Sequence, residues 1–224
     1  MIAADGFEQV ELTSPMKALQ KHGAEVEVIS LRPGNIKGMN LLCPGKKVHA
    51  NRTIFTADPE DYDALHIPGG FINPDFLRQS ERVLDFVREF DRAQKPISVI
   101  CHGPWVLISA GLVQGRTLTS WPGIKDDVKN AGGNWKDEAV VYDENWVSSQ
   151  GPQDLLQFNR AMVSHFAEHA GKAHRSRNGG ILLPTIGWLA AGAAVAAAIY
   201  GGTRAAHSEK EEEEEEEEMV TPEI

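Results

Sequence analysis

The chain has 224 residues, with 32 acidic side chains against 22 basic ones and a formal charge of −10. A hydrophobic share of 42% excludes wholesale disorder, and the length allows one generous domain or two small ones. The charge is unevenly placed: residues 181–224 hold Arg204 and Lys210 against ten Glu, a net of −8, which leaves −2 for residues 1–180. Neither part carries the basic footprint of a nucleic-acid binder.

Two cysteines, Cys43 and Cys101, cannot make a disulfide scaffold, and no Cys/His zinc spacing exists. The opening MIAADGFEQVEL carries Asp5 and Glu8 and lacks a basic-then-apolar leader, so a reducing, cytoplasmic setting is expected for the main domain. In chain order, Ser14-Pro15 starts a helix that Gly23 ends. The alternating 24–30 segment is a strand, and residues 41–57 hold two short β-leaning stretches. Residues 64–67 form a buried strand ending in Pro68-Gly69-Gly70, and Leu77, Val83, Leu84, Val87 and Phe90 give a helix over 77–93 its apolar stripe. The apolar strand 97–100 runs straight into Cys101-His102-Gly103-Pro104 and a helix to about Ala110. Strands at 117–119, 139–142 and 146–149, a helix near 124–131 and a last helix over 152–170 complete an α/β layered domain with a mostly parallel sheet covered on both faces. No strand is expected before Asp5, so the first strand reads as truncated, through a missed start.

An apolar strand breaking into Cys-His-Gly-Pro at a helix start places a thiol at the carboxyl end of a sheet. There free backbone N–H groups favour the thiolate and a developing oxyanion. Glu8, in the loop before the first helix, lies at the same end, as does Gly69-Gly70, whose glycines permit close backbone approach. Asp75 follows just beyond. CHG alone is equally compatible with an ordinary buried cysteine beside a turn histidine, and an imidazole at the adjacent position is not expected to swing easily onto the thiol.

ADGFEQVELTSPMKALQKHGAEVEV, YDALHIPGG, KPISVICHGPWVL and GRTLTSWPGIKDDVKNAGGNW together closely resemble the DJ-1/PfpI family, over roughly residues 3–170 and best its PfpI-like branch. The resemblance implies a flavodoxin-like three-layer αβα sandwich and a dimer or hexamer. It also implies a nucleophilic Cys101 and no cofactor or metal. By the same analogy Glu8 is the buried acid on the thiol and the proton carrier, and Asp75 of an adjacent subunit orients His102. Backbone N–H groups of Gly70 and His102 would form the oxyanion site. The activities implied are those of glyoxalases and deglycases acting on small carbonyls or glycated substrates. PfpI-type cysteine peptidases are the alternative, and a redox-sensing or chaperone-like stress protein is an alternative without turnover. A glutamine amidotransferase is disfavoured because the last helix of the domain offers His165-Phe166-Ala167 in place of a His-x-Glu.

His165-Phe166-Ala167-Glu168-His169 spells a zinc-peptidase pattern but signals no third ligand. Trp105 and Trp121 are candidate pocket walls. The domain is expected over 1–172, followed by a basic linker at 173–180 and an acidic disordered tail at 201–224. Between these, ILLPTIGWLAAGAAVAAAIY at 181–200 is long enough for a single-pass transmembrane helix. That reading predicts membrane association, with the catalytic domain on the cytoplasmic side.

Overall fold

In the computed structural model, which describes residues 1–177, strands and helices alternate. The order is β1 (Phe7–Glu8), α1 (Gln9–Lys21), β2 (Ile29–Ser30), β3 (Gly34–Asn40), β4 (Cys43–Ala50), β5 (Arg52–Thr53), β6 (Leu65–Ile67), α2 (Ile72–Arg78), α3 (Glu81–Arg92) and β7 (Ile97–Ile100). Then come α4 (Pro104–Ser109), β8 (Thr117–Leu118), α5 (Lys125–Asn130), β9 (Asn134–Trp135), β10 (Val140–Asp143), β11 (Trp146–Ser149) and α6 (Leu155–Arg177).

The main sheet runs β10-β11-β7-β6. Residues 1–4 extend it: Ile2 N–H donates to His66 O at 3.0 Å, Ala3 N–H to Ile29 O at 3.0 Å, and Ile29 N–H to Met1 O at 2.8 Å. This short segment, expected to carry no strand, therefore joins β6 to β2, and β2 pairs in parallel with β5. Pairing is mixed. The contacts β6/β7, β7/β11 and β1/β3 are parallel, whereas β3/β4 and β10/β11 are antiparallel hairpins. The mostly parallel sheet expected from sequence thus describes the centre rather than the whole.

Side-chain alternation divides the core into two layers. Ile2, Ala4, Ile29, Leu65, Ile67, Ile97, Val99 and Trp146 pack in one cluster with the buried stripe of α3 and with Val106 and Leu107 of α4. Their alternates Met1, Ala3, Val28, Ile100 and Val147 pack on the other side with Leu12 and Leu19 of α1 and Leu155, Phe158 and Met162 of α6. Helices therefore cover both faces, giving a three-layer α/β sandwich. Val83, Phe86, Val87 and Phe90 are each at most 3% exposed, and burial of such a side chain stabilises by about 1.5–3 kcal/mol.

Three local expectations change. The helix drawn over 77–93 is two helices, because Ser80 is extended (φ −96°, ψ 110°). The first helix begins at Gln9 rather than at Ser14-Pro15, so Pro15 sits inside it. Pro15 has no N–H to offer Glu11 O, and His66 Nε2 supplies the missing bond at 2.8 Å. The strand drawn over 24–30 narrows to Ile29–Ser30, and Val28 is instead tied to Asn51 through its N–H and its carbonyl.

The membrane expectation is corrected. No helix among the described residues is long and apolar enough to cross a membrane. α6, which extends through Arg177 into the stretch expected as a linker, carries charged and polar side chains such as Asn159, Arg160 and Glu168. The expected span at 181–200 and the acidic tail at 201–224 lie outside the described residues, so no described element supports an anchor, membrane association or a membrane-bound location.

Candidate active site

β7 reads Ile-Ser-Val-Ile and is wholly buried, and the chain leaves it through Cys101 at φ +60°, a left-handed conformation rare for a residue with a Cβ. Both sides of the turn are held: Cys101 N–H donates to Ser149 O at 3.1 Å and Trp121 N–H donates to Cys101 O at 2.9 Å. Pro104 then begins α4, its fixed φ suited to the first turn. The bend brings the imidazole back onto the thiol, with His102 Nδ1 3.2 Å from Cys101 Sγ. The sequence expectation against such a contact assumed ordinary backbone, and the positive φ removes the obstacle.

The carboxylate against the thiol is Glu11. It is fully buried beside the Cys101 thiol and accepts the Gly69 N–H on Oε2 at 2.8 Å, while its Oε1 has no hydrogen-bond partner among the described residues. Burial is the main cause that raises its carboxyl from 4.5 to about 8, and the nearby charge of Glu8 adds to it. Burial, followed by the Glu11 carboxylate, pushes the Cys101 thiol up, while the backbone N–H groups of Gly70 and His102 pull it down. A protonated Glu11 reverses the opposition: it removes the like charge and leaves an O–H to donate to the sulfur. The proton shared by this pair therefore governs the thiolate.

Glu8 lies one turn earlier and faces the other way. Its Oε2 accepts the Leu41 N–H at 2.9 Å, across the turn between β3 and β4, and burial raises its carboxyl. It borders the site without touching the sulfur. Position 11 nevertheless left a signal in the sequence, because Glu11 falls on the same helical face as Leu12, Pro15, Ala18 and Leu19. A carboxylate on an apolar stripe is an anomaly that asks for a partner.

Gly69 and Gly70 are required by space. A Cβ on Gly69 would lie 2.6 Å from Cys101 Cβ, 2.6 Å from Glu11 Oε2 and 2.8 Å from His102 N. Gly70 has φ +74°, and its Cβ would meet Gly6 O at 2.5 Å. Trp105 meets His102 edge-on at 5.2 Å and Trp121 stacks beside it at 6.0 Å, so both expected wall residues flank the imidazole. Burial lowers the His102 pKa, which keeps the ring neutral near pH 7 and able to take a proton. Asp75 is not brought to His102 within the chain. It is exposed on α2, where Gln79 Nε2 donates to its carboxylate at 3.3 Å. Among the described residues no group of His, Cys, Asp and Glu could hold a metal ion.

The model of the DJ-1/PfpI family matches residues 1–165. A deglycase of Pyrococcus horikoshii is 43% identical over 162 residues, which are 72% of this chain and 95% of the relative. A deglycase of Thermococcus kodakarensis is 42% identical over 163 residues, 73% of this chain and 95% of its own. In fold the chain is similar to the solved DJ-1 of Schizosaccharomyces pombe, at a TM-score of 0.67 and 22% identity, over 80% of this chain and 97% of that one.

Proposed function

The chain belongs to the DJ-1/PfpI family, and from that premise we propose that it is a cysteine-dependent enzyme of small dicarbonyls and their adducts, of the deglycase and glyoxalase type. The observation that carries this reading is Cys101 at a strained turn, with one ionisable carboxyl, one imidazole and two backbone N–H groups directed at a single sulfur.

With methylglyoxal as substrate, the Cys101 thiolate attacks the aldehyde carbon and a C–S bond forms. The oxyanion receives hydrogen bonds from the Gly70 and His102 N–H groups and then the proton carried by Glu11, giving a hemithioacetal and a Glu11 carboxylate. Glu11, as carboxylate, removes the proton from the former aldehyde carbon and returns it to the neighbouring carbon while the hydroxyl proton passes to the ketone oxygen, which converts the ketone to an alcohol and the hemithioacetal to a thioester. Water, deprotonated by neutral His102, cleaves the thioester and releases lactate and the thiol. The sum is methylglyoxal plus water to lactate, an internal redox change that needs no external oxidant. A carboxyl raised toward neutrality suits this shuttle, because it can both accept and return a proton at working pH. An adduct of methylglyoxal with a thiol or amine enters the same path once its carbonyl end is released at Cys101.

Asp75 supports a two-subunit site. It is exposed on α2 between Phe71 and Phe76, themselves 47% and 46% exposed, a patch that a second copy of the chain can cover while offering its Asp75 to His102. The direct test is lactate formation from methylglyoxal by the full chain. Turnover is expected, with loss of more than about 100-fold in Cys101→Ala and in Glu11→Gln. Oxidation of Cys101 without any turnover would replace this reading with that of a redox sensor.

A further inference from the structure

A cleft of about 360 Å³ lies between the end of α2, α4 and α5, lined by Arg78, Trp105, Ile108, Asp127, Asn130 and Ala131. The indole that walls it is the one that meets His102. Trp105 is locked there, because its N–H donates to Asp127 Oδ2 at 2.8 Å. Arg78 lies over the same ring, its guanidinium carbon 5.5 Å from the centroid. Its Nε donates to Ser109 Oγ at 2.9 Å, which fixes the plane of the group. Among the described residues no carboxylate forms an ion pair with Arg78.

A stacked guanidinium of the half-buried Arg78, held in no ion pair among the described residues, presents its terminal N–H groups as a fork matched to a planar two-oxygen anion. Asp127 on the same wall limits what that anion can be. Arg78 and Asp127 cancel in the open cleft, so a single carboxylate adds one uncompensated negative charge, whereas a dianion such as phosphate adds two and is held more weakly. Ile108 and Ala131 supply a small apolar floor for the few carbons that join such a carboxylate to the reacting end.

We infer that this cleft is a carboxylate subsite, and that Arg78 selects adducts whose thiol or amine part is an amino acid or a peptide terminus while their carbonyl end reaches Cys101. The inference rests on the proposed reaction and names the part of the substrate that does not react. Asp127 acts here as a positioning residue, holding the indole on which Arg78 and the ligand lie.

The test pairs two thiols that differ only in the carboxylate, N-acetylcysteine and N-acetylcysteamine. The full chain carrying Cys101→Ala is titrated with each, and the Trp105 indole resonance is followed by NMR. N-acetylcysteine is expected to bind about tenfold more tightly, with the difference lost on adding Arg78→Gln and largely kept with Arg78→Lys. In the Cys101-intact enzyme, Arg78→Gln is expected to raise KM about tenfold for the methylglyoxal hemithioacetal of N-acetylcysteine. For that of N-acetylcysteamine kcat/KM should stay within about twofold. Equal binding of the two thiols, or a stronger response to inorganic phosphate, overturns the subsite. So does equal damage by Gln and Lys, which would assign Arg78 a packing role through Ser109. If the indole preference holds but no hemithioacetal is turned over, the reaction falls and the subsite stands.

Discussion

At the scale of single residues, the candidate site turns on which of two carboxyls faces the sulfur. Glu8 and Glu11 are three residues apart, yet Glu8 reaches the Leu41 N–H while Glu11 is sealed against Cys101 and the Gly69 N–H. If Glu11 carries the proton, Glu11→Gln keeps a hydrogen-bond donor but removes the ionised form that opposes the thiolate. Alkylation of Cys101 by iodoacetamide is then expected to shift its midpoint down by about one to two pH units, while lactate formation falls more than about 100-fold. Glu8→Gln removes a charge that acts only through Glu11, so activity should fall less than about tenfold. An unshifted alkylation profile in Glu11→Gln would refute the role. The same group leaves a mark on stability. Its folded value of about 8 exceeds the ordinary 4.5, so the folded chain holds a proton that the unfolded chain releases. That contribution is fully present below about 4.5 and is lost as pH rises through about 8. Melting scans across this window should show the parent chain losing stability relative to Glu11→Gln.

At the scale of elements, the site is built from breaks in regular structure. Periodicity marked the strand 97–100, the final helix and the loop glycines, because burial there follows simple patterns. It could not show that Pro15 lies inside α1, nor that Cys101 adopts a positive φ, since both depend on partners brought from elsewhere in the chain. His66 is such a partner. Its Nε2 bonds Glu11 O, the carbonyl that Pro15 leaves free, and its Nδ1 lies 2.9 Å from Ser98 Oγ. His66→Leu should cost about 2–4 kcal/mol by orphaning the buried Glu11 carbonyl and leaving Ser98 Oγ with only its long bond to Leu65 O at 3.5 Å. Pro15→Ala restores an N–H to the helix ladder, and in the His66→Leu background it is expected to recover about 1 kcal/mol. Urea unfolding of the four-member cycle measures this coupling, and strict additivity would refute the exchange of partners. Gly69→Ala tests the tightness of the turn. A Cβ there meets backbone and two site side chains at once, so a loss of about 2–4 kcal/mol is expected, together with slowed alkylation of Cys101.

At the scale of the molecule, the net charge of −10 describes the end of the chain, and residues 1–180 are nearly neutral at −2. Recognition in the folded part therefore rests on local charges and on shape. A family resemblance in sequence carried the sandwich and the thiol, but it could not assign the open side of the site, because what covers an exposed face is not encoded in one chain's periodicity. Phe71 and Phe76 flank Asp75 on that side, and large exposed aromatics around a carboxylate fit a face shared between copies. If a second copy completes the site, Phe71→Ser with Phe76→Ser should shift the chain to the mass of a monomer in analytical ultracentrifugation. Activity should fall with assembly, and the specific activity of the parent chain should drop on dilution. Asp75→Asn should behave differently, keeping the assembled mass while kcat falls about 10- to 100-fold and the alkylation midpoint of Cys101 stays in place. The two results separate a face that builds the assembly from a carboxylate that acts on the partner's imidazole. A monomer with undiminished kcat would show instead that Cys101, His102 and Glu11 suffice within one chain.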